Sequence, residues 1–179
     1  MPKGDKMTIT LAHWIFATEG EWCRLLEKDF YNFLSRGNDG VCVFSWNWTN
    51  PWKFISQQLN GVPFYIYFYH SEKREINEEK KGKIFYRVRC IGYTQDHQHA
   101  ILHSPDIVNF AESEDQAKVY FFVDTIDRIR RIDGKHVRLD DFTHTNPEII
   151  WLPGAIRTTL GHVTLDVELK IIRRTGMIA

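Results

Sequence analysis

The sequence predicts an α+β fold: a small barrel-like domain of mostly antiparallel strands with short flanking helices and open loops at one end. Three observations predict it. Short apolar runs with period-two alternation recur along the whole chain, one stretch carries a full set of helix signals, and 179 residues suit a single core. One domain spanning 1–179 is therefore expected, with residues 1–7 as a disordered amino-terminal tail.

The first strand is expected over Thr8 to Ala17, where Ile9, Leu11, Trp14, Ile15 and Phe16 occur without a breaker. A helix should follow. Thr18 and Glu21 have capping-box spacing, Trp22, Leu25, Leu26, Phe30, Phe33 and Leu34 recur at helical intervals, and Gly37 sits where a left-handed stop belongs. Asn38-Asp39-Gly40 is a turn, and Val41 to Ser45 reads as a short buried strand. Asn50-Pro51 then opens a second short helix to Leu59, with Asn as cap and Pro at the first helical position. Phe64 to Tyr69 is aromatic on both faces and should be a central strand.

Beyond it, Glu72 to Lys83 is charged and reads as a solvated loop, whereas Ile84 to Tyr93 alternates so that Arg87 and Arg89 share a wet or basic face. Thr94 to Gln116 reads as a long irregular loop, Val119 to Ile126 as a strand, and Val137 to Phe142 as the start of a minor helix. The carboxyl end offers two patterns. Val163, Leu165, Val167, Leu169 and Ile171 alternate as a strand would, yet Asp166 and Glu168 precede Lys170, Arg173 and Arg174 in the order a helix dipole favours. A strand to Val163 followed by a helix ending at Gly176 is the expectation.

Composition narrows the function. Acidic and basic residues balance at 23 each, which excludes a polycation that coats nucleic acid indiscriminately and leaves only a local basic patch. Cys23, Cys42 and Cys90 lie in apolar surroundings and suit reduced thiols; with no signal-type or membrane-length apolar run, a soluble cytoplasmic protein is expected. The densest chemistry is aromatic. Trp46, Trp48 and Trp52 fall within seven residues, interleaved with Asn47, Asn50 and Lys53. An indole N–H needs a partner, so such a cluster suits an open pocket for a flat ligand better than a packed interior. Stacking a base on an exposed ring is worth about 1–3 kcal/mol, and Asn side chains could read its edge.

His97, His99 and His103 offer metal-ligand types but no fourth ligand, and Pro105-Asp106 with Gln116-Ala117-Lys118 lacks the hairpin a nuclease site needs. Neither a metal nor a cofactor is expected. No phosphate-cradling glycine loop, nucleophile elbow or CxxC occurs, so catalysis is not expected either.

The run Phe68-Tyr69-His70-Ser71, preceded by Asn50-Pro51-Trp52 and Gly61, resembles the EVE domain of the PUA-like superfamily, which also contains YTH and ASCH domains. Trp14-Ile15-Phe16, Leu152-Pro153 with Arg157, and Val163-Thr164 are similar to that family's landmarks in order. The resemblance implies a pseudo-barrel whose pocket accepts a modified base from DNA or RNA without catalysis. It further implies association with a nuclease or NTPase component of a restriction system. Trp46, Asn47, Trp48, Asn50, Trp52, Tyr69, His70 and Ser71 are the expected pocket residues, and Lys53, Lys73, Arg74, Arg87, Arg89 and Arg157 the expected phosphate contacts. An ASCH-like hydrolase and a protein-interaction module are the competing expectations.

Overall fold

A computed structural model describes residues 12–18, 42–46, 63–70, 78–103, 107–109, 119–144 and 161–176. The helices expected from Thr18 to Gly37 and from Pro51 to Leu59 lie outside these residues.

The described chain forms strands β1 (Ala12–Thr18), β2 (Cys42–Trp46), β3 (Phe64–His70) and β4 (Lys83–Thr94), helix α1 (His97–His103), then β5 (Ile107–Asn109) and β6 (Val119–Arg131). After these come β7 (Val137–Arg138), a 3-10 turn (Leu139–Asp141), β8 (Phe142–His144), β9 (Gly161–Leu165) and β10 (Leu169–Gly176). The strands join in the order β5-β2-β6-β4-β3-β1-β9-β8, with β10 on β6 and β7 on β4. Seven of the nine pairings are antiparallel; β1 with β3 and β2 with β5 run parallel. The protein is therefore β-rich and mostly antiparallel. Among the described residues the path stays open, with β5 and β8 at its ends.

β3 is central, as its composition requires, between β1 and β4. Phe64, Ile66 and Phe68 are fully buried; Phe68 meets Phe44 edge-on at 5.7 Å, Phe64 meets Phe121 edge-on at 6.1 Å, and Phe44 and Phe121 stack at 5.0 Å. On the other face Tyr67 and Tyr69 join Ile15, Ile84, Ile129, Val137, Phe142 and Val163 in a second core. An aromatic run thus feeds both sides of one sheet.

β6 is longer than its apolar run suggests. Its first half pairs with β2 and its second half with β10, while β4 lines its opposite edge almost throughout. Because β10 fills this place, the helix expected after Val163 does not form. A dipole-matched charge order contributes only about 0.3–1 kcal/mol, whereas period-two alternation lets the segment complete a backbone ladder along β6. Gly176 is accordingly no helix stop. It lies opposite Thr125 with φ +132, and a Cβ there would stand 2.0 Å from the Asp124 carbonyl oxygen.

The stretch from Thr94 onward is also more regular than expected. β4 runs on to Thr94, and Asp96 caps α1 by accepting a hydrogen bond from the Gln98 N–H at 3.0 Å. Seven residues are too few for a helical period to show in sequence. Val137 to Phe142 divides into the two residues of β7 and a 3-10 turn rather than starting an α-helix. No helix among the described residues is long and apolar enough to cross a membrane.

Replacing Gly176 by Ala should destabilise the protein by about 1–3 kcal/mol, since both the backbone conformation and the contact with β6 forbid a side chain. Urea unfolding followed by tryptophan fluorescence measures it, with an unchanged midpoint as the contrary result.

Candidate nucleic-acid interface

Two kinds of arginine project from this sheet, and what stands on the neighbouring strand separates them. Arg87 lies opposite Tyr67 of β3 on one side and Asp127 of β6 on the other, and Asp127 lies opposite Arg174 of β10. Arg87 donates from Nε to Asp127 at 2.8 Å and from Nη1 to the Tyr67 hydroxyl at 3.1 Å, while its guanidinium sits 4.1 Å over the Tyr65 ring. Arg174 donates from Nε and Nη2 to the same carboxylate at 2.7 and 2.9 Å. The Tyr67 oxygen is also 2.9 Å from Nδ1 of His13, so a polar row crosses five adjacent strands. Beside it Arg89 makes a two-pronged contact with Asp124, which also accepts from the Thr125 hydroxyl.

Titration behaviour follows from this packing. Burial pushes the Tyr67 hydroxyl up to about 12, against the pull of Arg87. Burial would also raise Asp127, yet hydrogen bonds from Arg174 and Arg87 outweigh it and hold the carboxyl below its usual range. Burial works against the charge on Arg87, but Tyr67 and Asp127 more than compensate and its pKa is raised.

Arg87 and Arg89, expected as phosphate contacts on a basic face, are thus bound into the sheet by carboxylates that the pattern of β4 could not reveal. Tyr69 and His70, expected in the pocket, are 4 % and 2 % exposed: Tyr69 belongs to the core, and His70 packs edge-on against Phe85 at 5.2 Å. Trp46 ends β2 opposite Val119. Tyr86 of β4 pairs with Arg128, nine steps further along β6, and Tyr69 pairs beyond it with Ile84. About 30 Å of strand therefore separates the root of the Trp loop from the end of β3, so the register does not bring Trp46 and His70 together. Asn47, Trp48, Asn50, Trp52, Lys53, Ser71, Lys73, Arg74 and Arg157 lie outside the described residues. His97 and His99 of α1 pack on Tyr120 and Phe122 at 5.6 and 5.9 Å.

The second kind of arginine gathers where β3 ends. Lys83 lies directly opposite Arg138, Arg128 opposite Arg173, and Arg130 opposite Lys170. Like charges directly across a ladder are unfavourable, and here three such pairs fall on neighbouring strands. Arg128, Arg138, Lys170 and Arg173 are exposed. Of the acids on these elements, Asp133 and Asp141 bind Arg131 at 3.1 and 3.0 Å, and Asp140 and Glu168 are exposed. Lys83 and Arg130 donate to the backbone carbonyls of Glu79 and Gly134. Among the described residues Arg128, Arg138 and Lys170 pair with no carboxylate. In their midst His136 packs edge-on against Phe85 at 5.3 Å, and its pKa is lowered, first by burial and then by Arg130, Lys83, Arg138 and Arg128.

Sequence reasoning passed over this ledge because its members are dispersed from 83 to 173. Only Arg128 with Arg130, and His136 with Arg138, stand within two positions of each other in the chain. The available signal was a strand, β6, whose apolar run turns abruptly into alternating Arg. Fold and site together define a β-rich protein with one cationic ledge. Comparison with protein-family models, with curated proteins and with solved structures finds no match to the chain.

Asp127→Asn should lower stability by about 3 kcal/mol at neutral pH, the low end for a broken buried pair because Arg174 can rehydrate. The folded carboxyl is depressed, so its contribution is whole above the unfolded value of about 3.8 and disappears as pH falls through the folded one. Urea midpoints of the two proteins should then converge in acid; a constant gap would contradict the assignment. Lys170→Glu, by contrast, should raise stability by about 0.2–1 kcal/mol, because it turns a like-charge pair with Arg130 into an opposite one.

Proposed function

We propose that this chain is a polynucleotide-binding module of PUA-like, EVE-type architecture that accepts a modified base at the Trp46–Trp52 loop and holds the sugar-phosphate backbone on the cationic ledge. The observation that carries the reading is the two like-charge cross-strand pairs Lys83–Arg138 and Arg130–Lys170, with the exposed Arg128 on the same strand as Arg130. A fold tolerates such pairs at the expense of stability when something outside the chain neutralises them, and regularly spaced phosphates do so. The run of residues ending in Phe68-Tyr69-His70-Ser71 supports the family, and the mostly antiparallel sheet around it is compatible with a pseudo-barrel.

The distance between the two parts favours a polymer over a free nucleotide. About 30 Å of strand separates Trp46 from the ledge, and one nucleotide cannot bridge that span, whereas several consecutive ones can. Phosphate contacts would set register on the strand, and the tryptophan loop would supply stacking for the extruded base. The reading needs no catalytic step, and the partner is DNA or RNA carrying a modified base.

The test is anisotropy with DNA and RNA oligonucleotides carrying methylated adenine, methylated cytosine or hydroxymethylated cytosine, over a range of salt. Arg128→Ala and Arg173→Ala should weaken binding to all of them and lower the salt slope by about 0.9 per lost contact on a duplex, or about 0.7 on a single strand. Trp46→Ala and Trp48→Ala should remove the preference for the modified base while leaving that slope intact. Equal binding of plain and modified strands would sink the base-reading half, and equal capture of polyglutamate would sink the polynucleotide half.

A further inference from the structure

We propose that His136 is a proton-linked phosphate ligand at the centre of the ledge, so that a phosphodiester seated among Lys83, Arg128, Arg130 and Arg138 draws a proton onto its imidazole. The inference rests on the polynucleotide reading and deepens it by naming how the same site responds to pH.

The geometry places His136 at the hub. It precedes β7, whose Arg138 lies opposite Lys83 of β4. Its ring stands edge-on to Phe85 of the same β4, and Phe85 in turn meets His70 of β3, so the imidazole is braced by a rigid aromatic contact. From β6 come Arg128 and Arg130, each backed by a further cation on β10, Arg173 and Lys170. Lys135 adjoins it in the chain. Of the acids on the surrounding elements, Asp133 and Asp141 bind Arg131, Glu78 binds Lys81, and Glu79, Asp140 and Glu168 are exposed. The imidazole is only half-buried, which leaves it an edge toward solvent.

Burial, and then the surrounding cations, disfavour the charged form of this ring and lower its pKa. A phosphodiester carries one negative charge at every pH in question, so its arrival cancels the repulsion that kept the proton off and supplies an acceptor for the imidazolium N–H. The sign follows by linkage. A ligand that raises the pKa of a group binds more tightly to the protonated form, so affinity rises as pH falls through the range between the bound and free values, about tenfold for each unit of difference.

The probe is an oligothymidylate, whose bases and phosphodiesters do not titrate between about pH 7.5 and about pH 5.5. At constant ionic strength the native protein should bind it several-fold more tightly at the lower pH, and His136→Gln should abolish that gain while keeping the salt dependence. A gain that survives in His136→Gln, or no gain in the native chain, overturns the inference; failure of the native chain to bind at any pH overturns the polynucleotide reading beneath it. As a measurement free of any substitution, the His136 ring-proton resonances of the native protein should titrate at higher pH with oligothymidylate present, and an unmoved titration overturns the inference equally.

Discussion

The row that runs from His13 through Tyr67, Arg87 and Asp127 to Arg174 is the constraint on which the sheet depends. Tyr67, Arg87, Asp127 and Arg174 lie directly opposite one another on β3, β4, β6 and β10, and His13 reaches the Tyr67 hydroxyl from two residues away on β1. Asp127 is fully buried and accepts from two guanidiniums, so shifting either neighbouring strand by one residue would leave a charge buried without its partner. Hydrophobic pairing alone would specify the register of β3 and β4 weakly, because β3 is aromatic on both faces and a one-residue slip would still bury rings. The polar row removes that ambiguity.

The same side chain serves two purposes in this protein, and the facing strand decides which. Where β6 offers Asp124 and Asp127, arginines of β4 and β10 become structural and their charge is consumed. Further along, β6 offers Arg128 and Arg130 instead, and the facing residues, Arg173 and Lys170, are again cationic. Balanced composition therefore conceals a polarised sheet. Asp124, Asp127 and Asp141 are enclosed, whereas Arg128, Arg138, Lys170 and Arg173 are exposed.

Much of the strand inventory was legible in the chain because alternation and aromatic content are local properties. β3, β4 and the apolar half of β6 announce themselves in this way. The carboxyl-terminal segment did not, since its charge order matched a helix dipole while its alternation matched a strand, and the deciding partner, the second half of β6, lies some forty residues earlier. α1 was hidden for another reason: seven residues hold barely two turns, and its evidence is a single cap at Asp96.

Taken alone, the sequence determined most of the strands and put an aromatic one, β3, at the centre, because side-chain periodicity and bulk are fixed residue by residue. Tertiary structure decided which arginines are spent in ion pairs, and it set Trp46 and the His70 end of β3 about 30 Å of strand apart. Those outcomes depend on cross-strand register, which couples residues forty or more positions apart through backbone hydrogen bonds and buried charge, and no local pattern carries that information.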